Sequence, residues 1–213
     1  MFKPQADFDA HRRALISLIE SPDRDLRRRD LGQFLTPRPV ADLMASLFEV
    51  SQRNANLLDA GAGTGELSAA VVRKLCASSN KPERIAVTAY ELDHTLVEHL
   101  QANYTALKED CNRAGIGFSF TIVFDDFVEA AVRIILSAPN SPRPDPFNVA
   151  IVNPPYRKIR SDSPVRVMLR AAKIETGNLY TAFLALICKL LADHGEMVAI
   201  TPRSFCNGTM PFR

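Results

Sequence analysis

From Asn56 onward, short apolar runs alternate with longer stretches of helical periodicity, a pattern that few folds accommodate. The apolar runs predict five strands, at residues 57–58, 85–90, 118–124, 149–152 and 197–200. The periodic stretches predict helices at residues 66–77, 94–114, 127–136 and 179–191. Strands that alternate with helices in this way form a mostly parallel sheet with helices on both faces. We therefore expect a doubly wound α/β domain.

A further helix is expected ahead of the first strand. Thr36 is a typical cap residue, and Pro37 suits the first helical position. Five apolar side chains then follow at the spacing of one helix face, namely Val40, Leu43, Met44, Leu47 and Phe48. That spacing predicts a single buried stripe along the helix.

Composition excludes several classes of protein. The 213 residues are 46% hydrophobic and 23% charged, which is ordinary for one globular domain, and the net charge of +2 does not identify a partner. The four cysteines and four histidines show no metal-binding spacing, and no apolar stretch is typical of a secretion signal or a membrane span. We expect a cytoplasmic protein without a metal or membrane contact.

A glycine-rich turn follows the first predicted strand in the order Asp59-Ala60-Gly61-Ala62-Gly63-Thr64-Gly65. Such a turn either is purely structural or lets a nucleoside ligand approach the backbone. No Gly-Lys-Ser/Thr follows, which argues against a triphosphate. A dinucleotide remains an alternative, but Asp59 would repel a pyrophosphate and attract an amino group and a sulfonium. This favours S-adenosyl-L-methionine as the cofactor.

Acidic residues follow the second and third predicted strands. Glu91 is placed to accept the ribose hydroxyls of a nucleoside, although a helix cap or a solvated carboxylate is the alternative. Asp126, beside Phe127, is placed to bind an adenine amino group, with Asp125 as the alternative.

The fourth predicted strand ends in Asn153-Pro154-Pro155-Tyr156. The side chain of Asn153 and the carbonyl of Pro154 can accept both hydrogens of a planar amino group, which favours a more pyramidal and more nucleophilic nitrogen. Tyr156 can stack on a base, which would have to be flipped out of a duplex. A plain Asn-Pro turn with a core tyrosine is the structural alternative.

Taken together, the segment 32–37, the glycine turn, Glu91, Asp126-Phe127 and the Asn-Pro-Pro-Tyr turn resemble the N6-adenine DNA methyltransferases of bacterial restriction-modification systems. Residues 200–208 are similar to the corresponding segment of Eco57I-like methylases. The resemblance implies a Rossmann-like class I fold. It also implies that Phe34, Thr36 and Pro37 contact the amino-acid end of the cofactor. Asp59, Ala60, Gly61 and Gly63 are expected to belong to the same cofactor site.

The implied function is methyl transfer to the N6 amino group of a flipped adenine in double-stranded DNA. We expect residues 1–30 to form an N-terminal helical segment and residues 31–213 to form a catalytic domain. The resemblance further implies that the last two strands and a target-recognition region are missing, either because the chain is truncated or because it is one piece of a split enzyme with a partner subunit. The isolated chain is therefore expected to methylate weakly or not at all. Methylation of a protein glutamine or an RNA adenine, and a noncatalytic cofactor-fold subunit, remain alternatives.

Overall fold

The computed structural model describes residues 35–50, 52–138 and 144–202. Its helices are α1 (Arg38–Ser46), α2 (Glu66–Ala77), α3 (Val97–Ala114), α4 (Phe127–Leu136), α5 (Pro164–Ala171) and α6 (Leu179–Leu190), with a short 3-10 helix at His94–Leu96. Its strands are β1 (Asn54–Ala60), β2 (Arg84–Tyr90), β3 (Gly117–Val123), β4 (Phe147–Val152) and β5 (Leu191–Ala199). Each of the five predicted strands is present.

The five strands form one parallel sheet in the order β3-β2-β1-β4-β5. Strands β2 and β3 are added one after the other on one side of β1. The chain then returns and places β4 and β5 on the other side of β1. At such a switch point the connections leave in opposite directions and open a crevice at the carboxyl ends of β1 and β4. The structure confirms the predicted doubly wound α/β fold.

Two apolar layers cover the sheet, one on each face. One layer joins α1, α2 and α3 to alternate strand residues such as Leu57, Val87 and Ile151. The other layer joins α4, α5 and α6 to the intervening residues, such as Leu58 and Ala150. Because neighbouring strand residues point to opposite faces, the apolar side chains of β1 and β4 pack into both layers and fix these strands from both sides.

Helix α1 differs from the prediction at its start and in its buried face. Pro37 is the cap residue, and the Thr36 side chain makes no capping bond. Val40, Leu43 and Leu47 are 38%, 63% and 62% exposed, so the predicted single stripe is wrong for three of its five members. The buried residues are Ala41, Met44, Ala45 and Phe48. The small side chains of Ala41 and Ala45 turn inward, which lets α1 lie close to α2.

Helix α5 was not predicted from the sequence. Its start carries a signal, because Ser163 accepts a hydrogen bond from the backbone of Arg166 and Pro164 occupies the first turn. The helix has only eight residues, however, so an apolar periodicity repeats too few times to be recognised. Among the described residues, no helix is long and apolar enough to cross a bilayer, and no group of three or more His, Cys, Asp or Glu side chains is arranged to hold a metal.

Candidate functional site

The carboxyl ends of three strands bring the predicted site segments to one edge of the sheet. Strand β1 ends at Ala60, which pairs with Tyr90 at the end of β2. Asp59 of β1 pairs with Ile151 of β4, one residue before that strand ends. The glycine turn, Glu91 and the Asn153 turn therefore leave the sheet side by side, and not from opposite edges.

The glycine turn is held against β2 by its backbone. The N–H groups of Gly61 and Ala62 both donate to the carbonyl of Tyr90, at 3.0 and 2.8 Å. Gly65 has a φ of +79°, and a Cβ at this position would lie 2.6 Å from Cδ1 of Leu100. Glycine is required there twice over, for the backbone angle and for the approach of α3.

Glu91 lies directly beneath this turn and is 2% exposed. Its Oε2 accepts the N–H of Gly63 at 2.6 Å, and its Oε1 accepts the N–H groups of Leu92 and Asp93 at 2.9 and 2.8 Å. Burial raises the pKa of Glu91, while these three backbone bonds favour the charged form and act the other way. The carboxylate thus shapes the turn itself, and its role toward a ribose stays a prediction.

Asp59 is fully buried on the α2 and α3 side of the sheet. Its Oδ2 accepts the N–H of Ser68 at 3.3 Å, whereas its Oδ1 is buried with no hydrogen-bond partner among the described residues. Burial, with a smaller contribution from the nearby charge of Glu91, raises the pKa of Asp59 to about 7. The structure therefore places a carboxyl group of elevated pKa under the first turn of α2.

Helix α3 supports the glycine turn through polar side chains that no sequence pattern indicated. Asn103 donates its Nδ2 hydrogen to the carbonyl of Thr64 at 2.5 Å. The hydroxyl of Tyr104 lies 2.8 Å from Oγ of Ser68, which also donates to the carbonyl of Gly65. Both residues lie in a helix that the sequence periodicity predicts. Periodicity alone does not show which loop each face of that helix contacts.

The two residues after β3 that were considered for adenine binding have structural partners. Asp126 caps α4, because its Oδ1 accepts the N–H groups of Val128 and Glu129 at 2.7 and 3.2 Å. Asp125 forms an ion pair with Arg133. Phe127 is buried against Tyr90 and Phe183, with ring centroids 5.3 and 5.0 Å away. The choice between Asp125 and Asp126 as a cofactor ligand stays a prediction.

Asn153 and Tyr156 form one hydrogen-bonded group after β4. The Tyr156 hydroxyl lies 3.1 Å from Oδ1 of Asn153 and 3.1 Å from the carbonyl of Ile200. Burial raises the pKa of Tyr156, so this hydroxyl keeps its proton at neutral pH and can donate it. Pro154 is buried, and Pro155 is half-buried.

The segment ahead of α1 reaches both the glycine turn and the Asn153 turn. Oγ1 of Thr36 accepts a hydrogen bond from Nδ2 of Asn153 at 3.2 Å. Leu35, which the sequence analysis did not select, packs so closely on Gly63 that a Cβ there would lie 3.2 Å from Cδ2 of Leu35. Pro37 is exposed, and Phe34 lies outside the described residues.

A parallel sheet in this order, with a glycine turn after β1 and a buried acid after β2, defines a Rossmann-like nucleoside-binding α/β fold. The family model described as N-6 DNA Methylase matches residues 25–208. The chain therefore belongs to the N-6 DNA methylase family.

Two curated relatives extend this similarity. The chain is 41% identical over 186 residues to Type II methyltransferase M.PstI of Providencia stuartii. The aligned region covers 87% of this chain and 36% of that protein. It is also 41% identical over 184 residues to Type II methyltransferase M.BsuBI of Bacillus subtilis. Here the aligned region covers 85% of this chain and 35% of that protein. The chain thus spans about a third of the length of these relatives.

A solved structure shares the fold. A protein from Listeria monocytogenes, described as a class I S-adenosylmethionine-dependent methyltransferase, matches with a TM-score of 0.58 and 15% identity. The match covers 84% of this chain and 50% of that one. At this level of identity, the similarity concerns the fold and confirms the class I architecture.

Proposed function

We propose that the protein transfers a methyl group from S-adenosyl-L-methionine to the N6 amino group of adenine in DNA, as part of a restriction-modification system. The observation that carries this proposal is the position of the Asn153-Pro154-Pro155-Tyr156 turn, one strand away from the glycine turn at the same sheet edge. Family membership and the two Type II relatives support it.

The residues at the glycine turn fit the proposed cofactor. Gly61 and Gly63 carry no side chain of their own and have positive φ angles of +82° and +58°, and the carboxyl group of Asp59 has a buried oxygen without a partner among the described residues. A cofactor with a positive charge would favour the ionised form of that group. When bound, the cofactor supplies an electrophilic methyl group on a sulfonium.

Asn153 and Pro154 would activate the target amine. The adenine amino nitrogen is a poor nucleophile because its lone pair is delocalised into the ring. Two acceptors, Oδ1 of Asn153 and the carbonyl oxygen of Pro154, would bind its two hydrogens and favour the pyramidal form. The new N–C bond would replace the bond between the methyl group and the sulfur, whose electron pair stays on sulfur. Neither Asn153 nor Pro154 is a base, so the extra proton leaves to solvent.

Tyr156 would bind the face of the target base. A base in a duplex must be flipped to reach this turn, at a cost of a few kcal/mol, and stacking on an aromatic ring returns about 1 to 3 kcal/mol. Tyr180 lies beside Tyr156, with ring centroids 6.2 Å apart, and supports its ring from the α6 side.

Tritiated methyl transfer tests the proposal. Protein and labelled cofactor are incubated in turn with DNA, RNA and a protein extract, and Asn153→Ala is run in parallel. We expect a low but detectable level of label in DNA for the unmodified protein, and none above background for Asn153→Ala. Asn80→Ala, an exposed asparagine between α2 and β2, is the matched control and should retain activity. If label appeared only in protein or only in RNA, the substrate would be one of the alternatives and not adenine in DNA.

A further inference from the structure

The side chain of Thr36 contacts Asn153, and neither a role as a helix cap nor a role as a cofactor ligand accounts for this contact. Thr36 was expected to cap α1, but its side chain makes no capping bond there. Its Oγ1 instead accepts a hydrogen from Nδ2 of Asn153 at 3.2 Å, across 117 residues of sequence. The hydroxyl therefore meets the amide that the proposed reaction uses.

The orientation of this amide matters for the proposed reaction. A carboxamide carries an acceptor oxygen on one side and two donor hydrogens on the other. The χ2 torsion that sets its orientation has only weak intrinsic preferences, so neighbouring groups decide which way the amide faces. If the Asn153 amide turned by 180°, its NH2 group would face the incoming amino group, donor against donor. Because Nδ2 donates to Thr36 and Oδ1 accepts from Tyr156, the two contacts together keep Oδ1 on the side of Tyr156, where the proposed target base would stack.

We infer that Thr36 is a positioning residue for Asn153, which holds the carboxamide so that Oδ1 faces the target amine. This inference rests on the proposed function and gives Thr36 a role toward the substrate side in addition to the predicted cofactor contact. Oδ1 lies on the side of Tyr156, whose hydroxyl is 3.1 Å away. That hydroxyl has Ile200 as a second acceptor at 3.1 Å, so it keeps a partner when a substrate amine binds Oδ1.

The same segment connects the two halves of the site. Leu35 packs on Gly63 of the glycine turn, and the next residue, Thr36, binds Asn153. Two consecutive residues, 35 and 36, therefore contact the glycine turn and the Asn153 amide.

The first experiment measures the contact without activity. The side-chain amide signals of Asn153 in a proton–nitrogen NMR spectrum are identified by their loss in Asn153→Ala. We expect Thr36→Val, which has the same shape but no hydroxyl, to move these signals toward those of an exposed asparagine. Thr36→Ser, which keeps the oxygen, should leave them close to their original positions. Unchanged signals in Thr36→Val would overturn the inference.

The second experiment separates positioning from cofactor binding. Single-turnover methylation is measured at saturating S-adenosylmethionine, and cofactor affinity is measured by calorimetry. We expect Thr36→Val to lower the rate about 3- to 10-fold, the range for one lost hydrogen bond, with the Kd changed less than about twofold. Thr36→Ser should restore the rate.

The outcomes distinguish this inference from the proposed function. A weaker Kd with an unchanged rate at saturation would make Thr36 a cofactor contact only and would overturn the positioning role. A rate that Thr36→Ser does not restore would also overturn it. In both cases the unmodified protein still methylates DNA, so the proposed function stands. If the unmodified protein transfers no more methyl than Asn153→Ala, the proposed function fails and the inference falls with it.

Discussion

Asp59 is a carboxyl group that the fold keeps away from water, and this makes stability depend on pH. Its pKa is about 7 in the folded protein and 3.8 when unperturbed, so the folded state binds more protons between those values. The contribution of Asp59 to the free energy of unfolding is therefore greatest below pH 4 and is lost as the pH rises through about 7.

Asp59→Asn removes this titration and tests its sign. We expect the free energy of unfolding of the unmodified protein, minus that of Asp59→Asn, to fall by roughly 2 kcal/mol between pH 5 and pH 8. Urea denaturation at a series of pH values measures the difference, in which the effects of the other carboxylates cancel. A difference that stays constant over this range would show that Asp59 is ionised throughout.

Glu91 acts on the glycine turn through three backbone N–H groups. Glu91→Gln replaces one accepting oxygen with an NH2 group that opposes these donors. We expect a loss of about 1 to 3 kcal/mol in the free energy of unfolding, because a buried donor is left without a partner. Glu109→Gln, at an exposed position of α3, is the control and should change stability by less than about 0.5 kcal/mol. Equal effects would contradict the role of Glu91 under the turn.

At the scale of elements, the approach of α3 to the glycine turn is tested at Gly65. Gly65 and Gly115 both have positive φ, +79° and +76°, but a Cβ at Gly115 meets nothing within 4 Å. Both alanine substitutions incur the cost of the left-handed backbone, about 1 to 2 kcal/mol. We expect Gly65→Ala to lose a further 1 kcal/mol or so, because its Cβ overlaps Leu100.

Chemical denaturation of the two glycine variants measures this difference directly. The approach of α3 to the turn would be contradicted if Gly65→Ala lost no more stability than Gly115→Ala. Cofactor affinity offers a second readout, since only Gly65 belongs to the turn, and we expect calorimetry to detect weaker binding for Gly65→Ala alone.

The orientation of α1 makes a second prediction at this scale. Met44 is 5% exposed and Leu43 is 63% exposed, although they are neighbours of similar size. We expect Met44→Ala to lower the free energy of unfolding by about 2 to 5 kcal/mol and Leu43→Ala by less than about 1 kcal/mol. Thermal unfolding of both variants measures the contrast. Comparably large losses in both variants would restore the stripe predicted from the sequence, in which both side chains are buried.

At the scale of the whole molecule, the sheet was predictable because its signals are local. The apolar runs of β1, β2 and β4 are bounded by turns, and their parallel arrangement places the residues that follow each strand at one edge. The position of Glu91 and Asn153 at the same edge as the glycine turn follows from that arrangement. The strand order of the structure then places them on opposite sides of the turn, because β2 and β4 flank β1.

Contacts between distant residues were not predictable, because no local pattern encodes them. Asn103 meets Thr64 across 39 residues, and Asn153 meets Thr36 across 117. The face of α1 was predicted wrongly for a related reason. Its apolar residues are spread around the helix, and packing against α2 selects the face with the small residues Ala41 and Ala45.

The position of the transferred methyl group is the most direct test of the proposed function. The protein is incubated with DNA and S-adenosylmethionine carrying a trideuterated methyl group, and the digested nucleosides are analysed by mass spectrometry. We predict trideuterated N6-methyldeoxyadenosine for the unmodified protein, and only background levels for Asn153→Ala. A protein that binds the cofactor but leaves the deuterium out of N6-methyldeoxyadenosine would contradict the account.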